Sequence, residues 1–203
     1  MRIRYDTIEI MDEKKTSTDA QLINLSRQDP EIFGVLMGRY QGPLFHYIRR
    51  ITQLPADDID DLLQEIFIKI YQKLNEYDSA LKFSSWAYRI AHNHVIDYFR
   101  RVSARPQTNM LEDYEWEKII HSGIHIEKDI VNKDCVEKIK MCIQNLPMNY
   151  REVLILRFVE EKDYEEIMDI LRKPKGSVAT LISRGKEMLM KKMKEENINC
   201  MPS

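Results

Sequence analysis

An aromatic and basic run in the middle of the chain contains the residues best able to do chemistry. It reads FSSWAYRIAHNHVIDYFRR over residues 83–101, with arginines beside phenylalanine, tryptophan and tyrosine. Aromatic faces stack on unpaired bases, and guanidinium groups neutralise the phosphates that every nucleotide carries. The run therefore favours contact with opened DNA. The alternative is that its rings, including Phe83, Trp86 and Tyr88, form the core face of a helix whose arginines are simply solvated.

The spacing of the titratable residues does not support catalysis or metal binding. His92 and His94 are two positions apart, which points them to different faces of a helix, and the carboxylates do not converge with them on a nucleophile. Cys135 and Cys142 are seven positions apart, without the ligand spacing of common zinc sites. The cysteine count of three is odd, which argues against a disulfide scaffold. We expect no enzyme activity, metal site or cofactor, and reduced thiols.

Composition predicts a helical protein. The chain has 203 residues, of which 43% are hydrophobic and 32% charged, with only 6 glycines and 7 prolines. Such a sequence suits one or two small helical domains better than one large sheet. Its apolar runs fall short of the roughly 18 residues that cross a bilayer, and its first residues lack the apolar centre of a secretion signal. We expect a cytoplasmic chain that does not insert into a membrane.

Charge is arranged in alternating blocks, although the net charge is only −2. Acidic side chains gather in residues 57–65 and 112–117, and basic ones in residues 100–105 and 172–194. This arrangement suits a protein that meets both a basic protein partner and a polyanion. Because few phosphates can be neutralised, DNA binding by the isolated chain should be weak.

Two amphipathic helices are predicted between residues 29 and 74. The first begins at Asp29-Pro30-Glu31, and a break at residues 54–56 separates it from the second, which Asp57 and Asp58 are expected to cap. Helical spacing marks the core positions of both helices. They are Phe33, Leu36, Met37, Tyr40, Leu44, Tyr47, Ile48 and Ile51 in the first, and Leu62, Leu63, Ile66, Phe67, Ile70, Tyr71 and Leu74 in the second.

The second of these helices carries another stripe on its opposite face. Helical spacing aligns acidic and amide side chains with an isoleucine at a position where solvent favours a polar group. An apolar residue ringed by acids indicates a face that docks on a partner. The stripe consists of Asp61, Gln64, Glu65, Ile68 and Gln72.

The C-terminal part predicts a helix-turn-helix. Asp163 and Glu166 have capping-box separation at the start of a short helix, which ends near residue 171. A basic, glycine-bearing turn over residues 172–176 leads to a second helix over residues 177–193. Its inward positions are Val178, Ile182, Gly185 and Leu189, and its outward positions Ser177, Thr180, Ser183, Arg184 and Lys186. The outward set would face the DNA major groove, although purely structural helical hairpins share this pattern.

In this order the motifs resemble the sigma-70 factors of bacterial RNA polymerase, specifically the small two-domain extracytoplasmic-function (ECF) group. Residues 60–67, DDLLQEIF, look like the polymerase-docking helix of that family, residues 83–101 like its promoter-melting helix, and residues 146–186 like its upstream-element module. The resemblance implies an all-α fold of two small helical domains joined by a flexible linker. The implied division is a tail (1–18), region 2 (19–106), an acidic linker (107–133), region 4 with its helix-turn-helix (134–195) and a second tail (196–203).

The same resemblance implies a factor that directs core RNA polymerase to specific promoters and helps open them. Its partners would be promoter DNA and two parts of the polymerase, the clamp coiled coil and the flap. The protein would act as a monomer. Whether an anti-sigma factor also binds is left open. Polymerase contact falls to Asp61, Gln64, Glu65 and Ile68. Downstream-element contact falls to Phe83, Trp86, Arg89, His92, Asn93, Asp97, Arg100 and Arg101. Upstream-element contact falls to Lys173, Lys175, Ser177, Thr180, Ser183, Arg184 and Lys186.

The chain departs from the pattern of the family in its last helix. Ala179 and Leu181 stand where basic residues are usual, and Gly185 stands where alanine is usual. Fewer phosphate contacts follow, and a glycine inside a helix costs about 1 kcal/mol relative to alanine. Two other functions stay open on the residues alone. A self-sufficient dimeric helix-turn-helix regulator would bind a symmetric operator without polymerase, and a helical adaptor would bind proteins only.

Overall fold

The computed structural model describes residues 17–104 and 133–198, which form helices and no strand. This confirms the all-α class for the described part of the chain. The helices are α1 (Asp19–Ser26), α2 (Pro30–Thr52), α3 (Ala56–Gln72), a 3-10 turn (Leu74–Glu76), α4 (Phe83–Ala104), α5 (Lys133–Gln144), α6 (Met148–Phe158), α7 (Tyr164–Leu171) and α8 (Lys175–Glu195).

Contacts divide the chain into two units, one of residues 1–49 and 54–97 and the other of residues 50–53 and 98–203. Within the described residues, no helix is both long and apolar enough to span a bilayer. Residues 105–132, which include all of the predicted linker except its last residue, lie outside the described residues, as do residues 1–16 of the predicted tail 1–18 and residues 199–203 of the predicted tail 196–203.

The first unit is built on the buried faces of α2 and α3. Asp29 accepts a hydrogen bond from the N–H of Glu31 at 3.0 Å, as its place before Pro30 predicts. The predicted core positions Leu36, Met37, Tyr40, Leu44, Tyr47, Ile48 and Ile51 of α2 and Leu62, Leu63, Ile66 and Ile70 of α3 are buried, with Leu74 following. These faces hold α3 with its opposite side in solvent.

Two local predictions in this unit are wrong. Asp57 and Asp58 do not cap α3, because Pro55 occupies the capping position and the two carboxylates lie in the first turn. There they still favour the positive end of the helix dipole. Tyr71 is 42% exposed instead of core, and its ring packs against that of Phe33 with centroids 4.9 Å apart.

The second unit contains the helix-turn-helix. The predicted capping box is confirmed at the start of α7, where the Glu166 N–H donates to Asp163 Oδ1 at 2.8 Å and the Asp163 N–H donates to Glu166 Oε2 at 3.0 Å. The turn differs from the prediction. Arg172, with a φ of 51°, supplies the left-handed residue, and Gly176 lies inside α8, which begins at Lys175. Arginine therefore adopts the conformation that glycine usually provides.

Helix α8 packs closely on α6 at one glycine. Val178, Ile182 and Gly185 are buried as predicted. A Cβ atom added at Gly185 would meet Leu154 Cγ at 3.2 Å. The glycine thus allows the close approach of the two helices.

Candidate partner and nucleic-acid interfaces

The predicted docking stripe is exposed on α3. Asp61, Gln64 and Glu65 face solvent, and Ile68 is 58% exposed. The opposite face of the same helix is buried in the core. The exposed Tyr71 extends the apolar part of this stripe by one turn, which the sequence pattern did not predict. An apolar surface flanked by carboxylates suits a partner that is both basic and apolar.

Glu65 of the stripe meets a buried side chain from α4. His94 Nε2 lies 3.0 Å from Glu65 Oε2, and His94 Nδ1 lies 2.7 Å from the ammonium of Lys69. The histidine side chain is 1% exposed, whereas that of Glu65 is 56% exposed. Sequence reasoning missed His94, because its only visible signal was a histidine two positions after another one.

The structure corrects the prediction that Phe83 and Trp86 offer their faces to bases. They are 4% and 5% exposed, and their centroids lie 5.6 Å apart in an aromatic cluster with Tyr40 and Tyr77. Tyr40 in turn donates its hydroxyl to Asp19, and burial raises its pKa well above the usual value. Rings enclosed in this way have no free face for stacking, so they hold the start of α4 in place.

His92 is also removed from the predicted DNA-contact set. It is 7% exposed, and its Nδ1 lies 3.3 Å from the hydroxyl of Tyr47. Arg89 is half-buried. Phe83, Trp86 and His92 are thus buried members of the predicted downstream-element set, and Arg89 is a half-buried one. The alternative interpretation of the run, a core face, therefore applies to its first aromatic residues, Phe83, Trp86 and Tyr88.

The remaining predicted residues of α4 are exposed. They occur at positions i, i+4, i+7 and i+8, which share one face of a helix. An amide, a carboxylate and two guanidinium groups on one face can combine base recognition with phosphate contact. They are Asn93, Asp97, Arg100 and Arg101.

The outward face of α8 agrees with the predicted arrangement. Lys173 is half-buried in the turn, and the other predicted residues are exposed: Lys175, Ser177, Thr180, Ser183, Arg184 and Lys186. An open recess at the start of α8 is lined by Lys173, Gly176, Ser177, Thr180 and Leu181. The Thr180 hydroxyl donates to the Gly176 carbonyl at 2.8 Å. A positive helix start beside lysines is suited to a phosphate-bearing ligand.

Two ionisable side chains of α6, Arg151 and Glu152, are buried in this unit. Burial raises the pKa of the Glu152 carboxyl to about 7, with Lys173 acting in the opposite direction. Burial lowers the pKa of the Arg151 guanidinium to about 10, and Arg151 donates to the carbonyl of Leu146 at 3.0 Å.

The ammonium of Lys186 on α8 lies 4.8 Å from the ring centre of Phe158, which is 51% exposed. Sequence reasoning missed the roles of Glu152 and Phe158.

No group of three or more potential metal ligands occurs in the part of the chain that the structure describes. Cys142 is buried, its thiol lies 3.5 Å from Glu196 Oε2, and burial raises its pKa to about 11. A thiol held in its protonated form is a poor metal ligand. The side chain of Cys135 and all of Cys200 lie outside the described residues.

Comparison with family models supports both modules. Residues 36–105 match sigma-70 region 2, and residues 137–189 match sigma-70 region 4. Among curated relatives, the ECF RNA polymerase sigma factor SigW of Bacillus subtilis is 30% identical over 180 residues, covering 84% of this chain and 94% of SigW. The ECF RNA polymerase sigma-E factor of Haemophilus influenzae is 30% identical over 185 residues, covering 87% of this chain and 95% of that protein.

Two solved structures share the fold. CnrH, solved in complex with the cytosolic domain of CnrY, has a TM-score of 0.60 and 20% identity, covering 87% of this chain and 95% of that one. The sigma factor RpoE of Bartonella quintana, solved with the anti-sigma factor NepR, has a TM-score of 0.57 and 18% identity, covering 75% of this chain and 91% of that one. The family matches do not favour a self-sufficient dimeric regulator. The chain belongs to the ECF group of the sigma-70 family, whose members are transcription initiation factors that direct RNA polymerase to promoters.

Proposed function

We propose that this sigma factor binds core RNA polymerase through the exposed stripe of α3, formed by Asp61, Gln64, Glu65 and Ile68. The observation that carries the proposal is Ile68, which is 58% exposed one turn after Glu65 on a helix whose other face is buried. Tyr71, 42% exposed one turn further along, makes this an apolar patch of two residues, and an exposed apolar patch with a polar rim is typical of a protein-binding surface. The acidic neighbours select a basic partner surface, such as the clamp coiled coil that the resemblance implies.

The exposed residues of α4 are our candidates for the opened downstream element. Asn93 and Asp97 offer hydrogen-bonding groups for base edges, and Arg100 and Arg101 offer charge for phosphates. Stacking by Phe83 and Trp86 is not part of this proposal, because both rings are buried. Capture of unpaired bases by α4 would thus depend on polar contacts from its outer face.

The outward residues of α8 are our candidates for the duplex upstream element. Lys173 and Lys175 lie near the start of the helix, where phosphate contacts are favoured, and Arg184 lies two to three turns further along. The flap of the polymerase is the partner that the resemblance implies for this module. We propose that the protein acts as a monomer in the cytoplasm, where the polymerase operates. An anti-sigma partner is also proposed, because RpoE of B. quintana was solved with one.

The docking stripe can be tested by reversing one of its charges and by replacing its exposed isoleucine with a polar residue. We expect Asp61→Lys and Ile68→Ser each to weaken binding of the full chain to core polymerase at least tenfold, with unchanged circular dichroism. Glu76→Lys is the matched control, because this carboxylate is exposed outside the stripe, in the 3-10 turn. Equal affinity of all three variants and wild type, measured by fluorescence anisotropy, would contradict the proposal.

A further inference from the structure

A buried histidine connects the docking stripe to the helix that carries the DNA-contact candidates. His94 belongs to α4, one residue after the exposed Asn93, and its side chain is inserted between Glu65 and Lys69 of α3. These two residues of α3 are four positions apart and therefore adjacent on its surface. His94 thus occupies the space through which an acid and a base on neighbouring turns would otherwise meet.

The contacts of His94 define which ring nitrogen carries the proton. The ammonium of Lys69 can only donate, so Nδ1, at 2.7 Å, must accept. In the neutral ring the proton is then on Nε2, which faces Glu65 Oε2 at 3.0 Å. This N–H does not point straight at the oxygen. The contact with Glu65 is therefore defined by the 3.0 Å separation of the two atoms and not by an aligned hydrogen bond.

We propose that His94 is a positioning residue for polymerase docking: it orients the Glu65 carboxylate toward the partner and keeps Lys69 from neutralising it. The proposal rests on the proposed function of the α3 stripe. Neither sequence pattern nor family match assigns a role to this histidine.

Two physical effects support this role. An exposed glutamate samples several rotamers, and an anchor on one carboxylate oxygen reduces the entropy that is lost when a partner orders it. The second effect is competition. Without an acceptor at Nδ1, the Lys69 ammonium would be available for the i, i+4 ion pair with Glu65, and that pair would have to break before a basic partner could bind.

Two conservative replacements separate the contacts. His94→Asn places its amide near the position of Nδ1 and keeps an acceptor for Lys69, but it is too short to reach Glu65. His94→Gln reaches the position of Nε2 and can donate to Glu65. We expect His94→Asn to raise the dissociation constant for core polymerase about twofold to tenfold, which corresponds to the loss of one pre-ordered side chain, and His94→Gln to remain within twofold of wild type.

The deciding measurement is a double-mutant cycle with Glu65→Gln, using the full chain and core polymerase. If His94 acts through Glu65, the effect of His94→Asn should disappear in the Glu65→Gln background. An equal loss of affinity in both backgrounds would show a merely structural role and overturn the proposal. Equal dissociation constants for His94→Asn, His94→Gln and wild type would also overturn it.

Failure of this proposal can be distinguished from failure of the docking stripe. If Asp61→Lys weakens polymerase binding but His94→Asn does not, the stripe binds polymerase and the histidine does not position it. If neither Asp61→Lys nor Glu65→Gln changes the affinity, the docking surface itself is wrong and this inference fails with it. Should His94→Asn not fold, as judged by circular dichroism, His94→Leu takes its place in the cycle: a loss of affinity that disappears in the Glu65→Gln background supports the role, and no loss, or an equal loss in both backgrounds, overturns it.

Discussion

The ammonium of Lys186 lies over the ring of Phe158, 4.8 Å from its centre. Lys186 was predicted to face DNA, and Phe158 is a half-exposed aromatic residue at the end of α6. A cation above an aromatic face is attracted by the ring quadrupole, and the ring also limits the positions that a flexible lysine can adopt. The pair therefore links α8 to the end of α6.

We expect this pair to be measurable as a coupling between two substitutions. Phe158→Leu and Lys186→Met, alone and combined, should show a coupling of about 0.5–1 kcal/mol in the free energy of unfolding. Urea titrations of the full chain at low salt provide the measurement. Strictly additive effects of the two substitutions would show that the contact contributes nothing.

Glu152 is expected to make stability fall as pH rises from acid to neutral. Burial raises its pKa to about 7 in the folded protein, whereas the unfolded chain ionises near the usual value of about 4.3. Below both values the protonated form is present in both states, and the stabilisation is complete. As pH rises toward 7 the unfolded chain releases its proton first, so this stabilisation is progressively lost.

Glu152→Gln should remove this dependence. The variant is expected to match wild type near pH 4 and to be more stable by on the order of 3 kcal/mol at pH 8. Denaturation midpoints across this range give the comparison, and Glu187→Gln, an exposed change on α8, is the control. A constant difference between Glu152→Gln and wild type at every pH would show that Glu152 does not titrate as described.

Asn93→Ala should reduce promoter opening more than duplex binding. Asn93 is exposed on α4, so its loss leaves the core unchanged and removes a hydrogen-bonding group from the proposed base-contact face. Permanganate reactivity of the downstream element, at matched promoter occupancy by the holoenzyme, reports the opening. Asn75→Ala, at an exposed asparagine in the 3-10 turn, is the control. Reactivity equal to wild type would remove Asn93 from the site.

Arg184→Ala and Lys175→Ala should weaken promoter binding in different ways. If Arg184 contacts a guanine with two hydrogen bonds, its loss should relax preference at one base pair by about 1–3 kcal/mol. A phosphate contact by Lys175 carries no sequence information, so its loss should lower the salt slope by about one unit for all promoters. Competition binding of the holoenzyme at several salt concentrations separates them. Unchanged base preferences and unchanged salt slopes in both variants would show that α8 does not contact the upstream element.

Gly185→Ala should stabilise the protein less than Gly34→Ala. Both glycines lie inside helices, where alanine is favoured by about 1 kcal/mol. At Gly34 nothing lies within 4 Å of an added Cβ, whereas at Gly185 the new atom meets Leu154 Cγ at 3.2 Å. We expect crowding to offset most of the gain at Gly185. Equal stabilisation by the two substitutions, measured by thermal unfolding, would show that Leu154 moves aside without cost.

Local interactions are what the sequence alone determined. The Asp163–Glu166 capping box and the Asp29–Pro30 helix start depend on residues a few positions apart, and the buried stripe of α2 follows from helical periodicity. The exposed stripe with Ile68 was predictable for the same reason, since one amphipathic helix has only one face for its core. The ordered motifs were also sufficient to predict the family.

Tertiary structure decided whatever depends on a neighbour distant in sequence. Trp86 and Phe83 could stack on bases or fill a core, and Tyr40 and Tyr77 enclose them. Tyr71 has the spacing of a core position in α3, yet it is 42% exposed, with the ring of Phe33 packed against it. His94 acquires its role from Glu65 and Lys69 on another helix. Periodicity along one helix predicts which of its faces is apolar. It does not predict which atoms of another helix contact that face, because those contacts depend on how the two helices pack.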